Sequence, residues 1–193
     1  MKEGGSVANE SMITRGIDHI GITVPDLDAA TTFFVDAFDA VVLYDLIVDR
    51  AMMPLEENRV ESIPVDLAEI LGVPRGAEVG NQRLLRLGNG PSIELFEYVN
   101  VPQRRVAAPN DFGLQHIALY VDDIEEAGRR VEAAGGVLLK GPIDLPGLEA
   151  GAGCRFHYTR APWGTTIELI TFPSTQRYES TSVLRRWKPV ASR

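Results

Sequence analysis

The segment LQHIALYVDDI, residues 114–124, repeats the pattern of DHIGITVPDL, residues 18–27. In this alignment His116 falls on His19, and both segments continue through apolar residues to an aspartate that precedes an apolar residue. Alternation of apolar and other residues over such a short stretch is typical of a β-strand. Each segment therefore predicts a strand that carries a histidine and leads into a helix.

A second pair of matching segments closes each copy. SIELF, residues 92–96, matches TIELI, residues 166–170, and aligns Glu94 with Glu168. The chain thus contains two copies of one unit, each opening with a histidine strand and ending with a glutamate strand. Because a repeat of this kind determines the architecture of the whole chain, it has to be identified before any single motif is interpreted.

Composition limits the class of protein. The chain has 193 residues, of which 45% are hydrophobic, enough for a packed core. Its net charge of −8 argues against nucleic acid as a partner. The only cysteine, Cys154, excludes an intramolecular disulfide and suits a reducing compartment. No apolar run is long enough to span a membrane and residues 1–14 lack the core of a signal peptide, so we expect a cytoplasmic protein that does not bind membranes.

The first copy is predicted to span residues 15–100 and to fold as strand, helix and three strands. The expected strands are residues 17–24, 41–48, 82–87 and 92–98, and the helix runs from its N-cap Asp26 to about Phe38. Residues 49–80 interrupt this pattern with several prolines and glycines, and contain one possible helical turn at 65–71. We therefore expect an insertion there, either a binding loop or a passive surface excursion.

The second copy, residues 112–173, follows a linker at 101–111 and repeats the plan. The predicted elements are a strand to Val121, a helix capped by Asp123, a short strand at 137–139, a loop at 141–153, and a hairpin of 154–159 with 165–172. Residues 1–14 are expected to be a flexible leader. Residues 174–193 form a basic tail, expected to be solvated or to clasp a second subunit.

Each copy is thus a βαβββ module of the α+β class, whose sheet has a helix on one face only. Two such sheets side by side would share a concave surface lined by the residues that do not face the helices. Strand alternation places four strongly polar residues on that lining, namely His19, Glu94, His116 and Glu168. A carboxylate on the inner face of an apolar strand is costly unless it is paired or bound to a metal.

Two imidazoles and two carboxylates form a donor set suited to a divalent ion. Zn, Ni, Co, Mn and Fe all accept such ligands and would keep positions open for water or substrate. The alternative is a pair of buried His–Glu hydrogen bonds with no metal. The sequence favours a metal because all four residues occur in register across the duplication.

The segments DHIGITVPDLDAA, IELFEY, LQHIALYVDDI and APWGTTIELI resemble the vicinal oxygen chelate superfamily over about residues 16–172. That superfamily includes glyoxalase I, methylmalonyl-CoA epimerase, extradiol dioxygenases, and fosfomycin and bleomycin resistance proteins. The resemblance implies the glyoxalase/bleomycin-resistance/dihydroxybiphenyl dioxygenase fold, one divalent ion bound by His19, Glu94, His116 and Glu168, and a homodimer. The usual Asp-Pro-Asp-Gly turn before the last strand is replaced by Ala161-Pro162-Trp163-Gly164.

Ligands drawn from both modules look like the glyoxalase and epimerase branch. This resemblance implies a redox-neutral isomerase, epimerase or lyase that forms an enolate from a small hydroxycarbonyl, dicarbonyl or acyl-thioester substrate. The metal would stabilise the enolate, and Glu94 or Glu168 would act as the base. The alternatives are an Fe(II) ring-cleaving dioxygenase and a resistance-type protein that binds a drug without catalysis.

His157 is a further catalytic candidate. If residues 161–164 form a four-residue loop, His157 lies opposite Glu168 on the lining and could serve as a second acid or base. The same reasoning places Leu85 opposite Glu94. Both expectations depend on the hairpin register, because a shift by one residue turns every side chain to the other face of the sheet.

Overall fold

The computed structural model describes residues 14, 16–47 and 71–189. The predicted leader, most of the predicted insertion with its helical turn at 65–71, and the last four residues of the tail lie outside the described residues, apart from Thr14 and Leu71. Within the described ranges, no helix combines the length and the apolar character needed to cross a lipid bilayer.

The chain forms the two predicted βαβββ modules. Module one consists of β1 (His19–Thr23), α1 (Leu27–Phe38), β2 (Val41–Ile47), β3 (Glu78–Arg86) and β4 (Ser92–Val99). Module two consists of β5 (Ile117–Tyr120), α2 (Ile124–Ala133), β6 (Val137–Leu138), β7 (Ile143–Asp144), β8 (Arg155–Arg160) and β9 (Thr166–Thr171). Short 3-10 helices cover Gly147–Glu149 and Arg177–Ser180. The α+β class and the duplication are confirmed.

Each module has its own mixed sheet with the same strand order. The strands run β1-β4-β3-β2 in module one and β5-β9-β8-β6 in module two, with β7 also paired to β8. In both sheets the histidine strand lies at one edge and runs parallel to the glutamate strand. This order brings the first and last strands of each repeat together, which is why His19 and Glu94 meet although they are far apart in sequence.

The helices begin where the sequence predicts. The side chain of Asp26 accepts a hydrogen bond from the backbone N–H of Ala29, and Asp123 accepts one from Glu126, each at 2.8 Å. These caps satisfy N–H groups that the first helical turn leaves without partners. The helices cover the faces that carry the alternate apolar residues, including Ile93 and Leu95 in β4 and Ile167 and Leu169 in β9, all buried.

The two modules contact each other through their helices and one hairpin turn. The guanidinium of Arg130 in α2 donates to both carboxylate oxygens of Asp39 at 2.6 Å and to the backbone oxygen of Asp36. Trp163, in the turn between β8 and β9, packs edge-on against Phe33 of α1 with ring centroids 5.4 Å apart. The departure from the usual turn sequence therefore supplies a contact between modules.

The hairpin registers differ by one residue from the prediction. Tyr158, and not His157, lies opposite Glu168, and Leu84, and not Leu85, lies opposite Glu94. In both hairpins five residues separate the strands, namely 161–165 between β8 and β9 and 87–91 between β3 and β4. Leu85 is consequently buried in the core beneath α1.

Candidate metal centre

The first candidate pair is formed by His19 and Glu94. Because β1 runs parallel to β4 with Gly21 opposite Glu94, the two side chains lie on the same face and His19 Nε2 is 3.2 Å from Glu94 Oε2. The other ring nitrogen, Nδ1, is 2.8 Å from the carboxylate of Asp18. That hydrogen bond raises the pKa of His19; burial opposes the rise, and the charge of Glu94 adds to it.

Glu94 has further polar and aromatic neighbours. Its second carboxylate oxygen accepts a hydrogen bond from the side-chain amide of Gln82. Tyr98, four residues further along the same face of β4, stacks on Phe96 with centroids 6.1 Å apart. Burial raises the pKa of Tyr98, and the negative charge of Glu94 raises it further. The pair thus has a polar side toward Gln82 and an aromatic side toward Tyr98.

The second pair, His116 and Glu168, repeats this geometry. His116 Nε2 is 2.9 Å from Glu168 Oε2, and Nδ1 lies 3.0 Å from the side-chain oxygen of Gln115. Only 11% of the Glu168 side chain is exposed, compared with 15% for the other carboxylate, Glu94. Burial raises the pKa of Glu168, while the positive charge of a protonated His116 acts against it. Glu168 is therefore the donor that most needs a cation.

Tyr158 belongs to the second site and was missed by the sequence reasoning. Its ring packs edge-on against the imidazole of His116, with centroids 5.2 Å apart, and it lies opposite Glu168 in the ladder. Burial raises the pKa of Tyr158, and Glu168 contributes in the same direction. The alternation of β8 puts either His157 or Tyr158 on the face of Glu168, and the hairpin loop length decides which. The predicted loop was one residue too short, so the prediction selected His157.

The prediction that His157 lies on the lining is wrong. The side chain is buried on the opposite face of β8, where Nε2 is 2.9 Å from the backbone oxygen of Leu139. A one-residue shift in register turns every residue of a strand to its other face. His157 therefore ties β8 to the segment after β6 and does not contact either glutamate.

Arg83 is likewise not available to a substrate. Its guanidinium donates hydrogen bonds to Asp45 on β2 and to two residues of α1. The α1 acceptors are the carboxylate of Asp28 at 3.0 Å and the hydroxyl of Thr31 at 2.8 Å. These contacts place it between sheet and helix, on the face opposite Glu94. Arg83 is a structural residue that joins α1 to β2 and β3.

The four predicted ligands form two pairs and not one cluster. Among the residues that the structure describes, no group of three or more His, Cys, Asp or Glu side chains is arranged to hold a metal ion. The expectation that all four side chains converge on one ion is therefore not met within the described part of this chain. What each chain presents is two half-sites, His19 with Glu94 and His116 with Glu168.

Each half-site nevertheless fits two adjacent ligands of one metal ion. Ligands bonded at about 2.1 Å and separated by a right or tetrahedral angle lie roughly 3.0–3.4 Å apart, close to the observed 3.2 Å and 2.9 Å. With Nδ1 hydrogen-bonded to Asp18 or Gln115, each Nε2 turns its lone pair toward a carboxylate oxygen, so a cation or a proton has to lie between them. Hydrogen bonding of the second ring nitrogen is also usual for metal-binding histidines.

Comparison with known proteins places this geometry in context. The family model described as "Glyoxalase/Bleomycin resistance protein/Dioxygenase superfamily" matches residues 18–158. A 2-epi-5-epi-valiolone epimerase from Actinomyces sp is 32% identical over 177 residues, which cover 91% of this chain and 90% of that protein. The match to the epimerase extends over nearly the full length of both chains.

Solved structures share the fold at low sequence identity. A glyoxalase family protein from Bacillus cereus is 20% identical and superposes with a TM-score of 0.60 over 86% of this chain and 98% of its own. Glyoxalase I from Zea mays is 18% identical, with a TM-score of 0.53 over 83% of this chain and 46% of its own. A Listeria monocytogenes fosfomycin resistance protein, solved with Mn(II), is also 18% identical. It superposes with a TM-score of 0.53 over 88% of this chain and 100% of its own.

Proposed function

Because the chain belongs to the glyoxalase, bleomycin resistance protein and dioxygenase superfamily, we propose that it is a divalent-metal-dependent epimerase of a hydroxylated ketone. The observation that carries this proposal is the presence of two His–Glu half-sites with matching Nε2 to Oε2 distances. The epimerase from Actinomyces sp supports the reaction type. The suffix of its substrate's name denotes a ketone, the class of compound in which a proton next to the carbonyl can be exchanged.

A second copy of the chain would complete each metal site. β1 and β5 end their sheets, and in the described part of the chain no strand pairs with their outer edges. In a two-fold dimer, His19 and Glu94 of one copy would face His116 and Glu168 of the other, and the symmetry would generate two identical sites. The dimer would also cover the free strand edges, which proteins rarely leave exposed.

The chemistry divides between the ion and the glutamates. His19, Glu94, His116 and Glu168 would hold a divalent ion, which would supply positive charge to stabilise the negative charge that develops on the carbonyl oxygen of the substrate. One glutamate takes the proton from the carbon next to the carbonyl, and the electron pair of that C–H bond moves toward the carbonyl oxygen. The other glutamate, protonated and therefore not acting as a ligand in that step, delivers a proton to the opposite face of the same carbon as the electron pair returns to it, which inverts the carbon.

This assignment gives both acid–base roles to Glu94 and Glu168. In the proposed dimer they come from different modules and reach the substrate from different sides. His157 has no part in the reaction, because it is buried on the other face of β8. Tyr158 and Gln82 are positioning residues, one packed on His116 and the other hydrogen-bonded to Glu94.

Proton exchange with solvent tests the proposal. The metal-loaded protein is incubated in deuterated water with 2-epi-5-epi-valiolone, and deuterium incorporation next to the carbonyl is followed by NMR. We expect exchange and epimer formation in the wild type, loss of epimer formation in Glu168→Gln and in Glu94→Gln, and loss of both exchange and epimer formation on chelation of the metal. Oxygen uptake with bound iron, or full exchange in both Glu94→Gln and Glu168→Gln, would contradict the mechanism.

A further inference from the structure

The C-terminal segment, residues 174–189, is packed against module two. The side-chain amide of Gln176 donates to the backbone oxygen of Glu149 at 2.8 Å. The backbone N–H of Arg177 donates to the backbone oxygen of Ala150 at 3.0 Å. Further along, the backbone N–H of Arg186 donates to the hydroxyl of Tyr178 at 3.0 Å. The segment is therefore held to the loop before β8 and is not the solvated tail that was one of the two expectations. The other expectation, a segment that clasps a second subunit, stays a prediction.

Arg186 brings this segment to the face that carries the second half-site. Its guanidinium carbon lies 4.5 Å from the centroid of the Phe172 ring, which packs edge-on against Tyr120 at 4.8 Å. Phe172 follows Glu168 by four residues and Tyr120 follows His116 by four, so both lie on the half-site face, about 13 Å further along the strands. Arg186 thus stands at the far end of that face, roughly one small-molecule length from the donors.

Glu149 accompanies Arg186 at this position. Its carboxylate is 2.9 Å from a guanidinium nitrogen of Arg186. Next in the chain, Trp187 lines a cavity of about 690 Å³ beside β5, together with His116 and Tyr120, whereas Glu149 and Arg186 lie outside its lining.

The pairing of charges decides which kind of ligand fits. Arg186 is neutralised by Glu149, and Arg185 and Lys188 both face Glu179, at 3.0 Å and 4.0 Å. A phosphate or carboxylate would have to displace one of these carboxylates. A neutral hydroxyl group has no such competitor, because it can donate to Glu149 and accept from Arg186 at the same time. The apolar face of a ring can pack against an aromatic side chain such as Trp187.

From these contacts we propose that the C-terminal segment forms a subsite for the hydroxyl groups of an uncharged polyhydroxylated ketone, with Glu149 and Arg186 as the specificity-determining residues. The inference rests on the proposed function and adds to it the substrate class and the residues that select it. The metal half-site would hold the carbonyl end of the substrate, and Glu149 with Arg186 would hold hydroxyl groups at the other end.

Steady-state kinetics with 2-epi-5-epi-valiolone tests the subsite in the metal-loaded protein. We expect Arg186→Met and Glu149→Gln each to raise KM about tenfold or more while kcat stays within about threefold, since hydrogen bonds to the distal hydroxyls are made equally before and during the reaction. Arg185→Met is the matched control, because Arg185 lies in the same segment and pairs with Glu179. Equal KM values in the wild type and both subsite variants would overturn the proposal.

A binding measurement separates failure of the subsite from failure of the proposed function. The chain has two tryptophans, and Trp163 is packed against Phe33 while Trp187 is on the cavity wall. Titrating metal-free protein with myo-inositol should change the fluorescence in the wild type, much less in Arg186→Met, and not at all in Trp187→Phe. Binding without epimerase activity would refute only the function, whereas a response to inorganic phosphate and none to the polyol would refute the subsite.

Discussion

The two half-sites differ in how their histidines are held. His19 is 44% exposed and is supported at Nδ1 by the carboxylate of Asp18. His116 is more buried, is supported by the neutral amide of Gln115, and packs against Tyr158. A carboxylate makes an imidazole a stronger donor than an amide does, whereas ring packing fixes its orientation. In module one, the charge of Asp18 therefore strengthens His19 as a donor. In module two, packing against Tyr158 fixes the orientation of His116.

Tyr158 is the residue that tests this difference. Replacing it with leucine removes the edge-on contact with His116, worth about 0.5–1.5 kcal/mol, while phenylalanine keeps the ring. We expect Tyr158→Leu to weaken Mn(II) or Zn(II) binding roughly twofold to tenfold, and Tyr158→Phe to bind as the wild type does. Isothermal titration calorimetry of the purified variants measures both. A loss of affinity in Tyr158→Phe equal to that in Tyr158→Leu would assign the effect to the hydroxyl and not to packing.

His157 provides the opposite test, of a residue that matters only for stability. Its buried ring is hydrogen-bonded to the Leu139 backbone, and a Cβ added at Gly141 would come within 2.6 Å of it. His157→Ala should lower the free energy of unfolding by roughly 1–3 kcal/mol and leave kcat of the folded protein within about twofold. Urea denaturation and turnover per folded molecule give the two numbers. A large drop in kcat without a drop in stability would return His157 to the active site.

At the scale of elements, the sequence predicted which segments fold but not their register. Both helices and their aspartate caps follow from local rules, and the alternation of β1, β4 and β9 correctly separates glutamates from core residues such as Leu95. Hairpin register depends instead on loop length. Arg160 pairs with Thr166, so five residues and not four separate the paired ends of β8 and β9.

The helix pair holds the modules together through Arg130. Arg130→Met removes its bonds to Asp36 and Asp39 and should cost up to about 1 kcal/mol, because the pair is partly exposed, or roughly 2–4 °C in Tm. Arg129→Met is the control, since Arg129 pairs with Glu126 of the same helix.

The stabilisation from the Arg130–Asp39 pair should depend on pH. Arg130 lowers the pKa of Asp39, so this stabilisation is complete above pH 3.8 and is lost as the pH falls through the lowered value. Calorimetry should therefore show the Tm difference at pH 7 and its loss in acid; an equal loss of stability in Arg129→Met would contradict the assignment.

On the scale of the whole molecule, the single-chain sequence could not reveal where the half-sites meet. Alternation assigns His19, Glu94, His116 and Glu168 to the inner faces, and the structure arranges them as two separate pairs. Contacts between the modules decide which half-sites can face each other. These contacts include the ion pair of Arg130 with Asp39 and the packing of Trp163 on α1. In the described part of the chain these contacts leave the edges of β1 and β5 free. In the proposed dimer, a second copy at these edges would supply the donors that each half-site lacks.

Mixing two inactive variants tests whether each site is shared between copies. One variant carries His19→Ala and Glu94→Gln, and the other carries His116→Ala and Glu168→Gln, so each alone lacks one complete half-site. In a mixed dimer, one site combines both damaged halves and the other combines both intact halves. Co-refolding equal amounts should therefore restore about a quarter of the wild-type metal content and epimerase activity, from random pairing in a two-fold dimer. Sites contained within single chains would give no recovery, and size-exclusion chromatography with light scattering verifies that mixed dimers have formed.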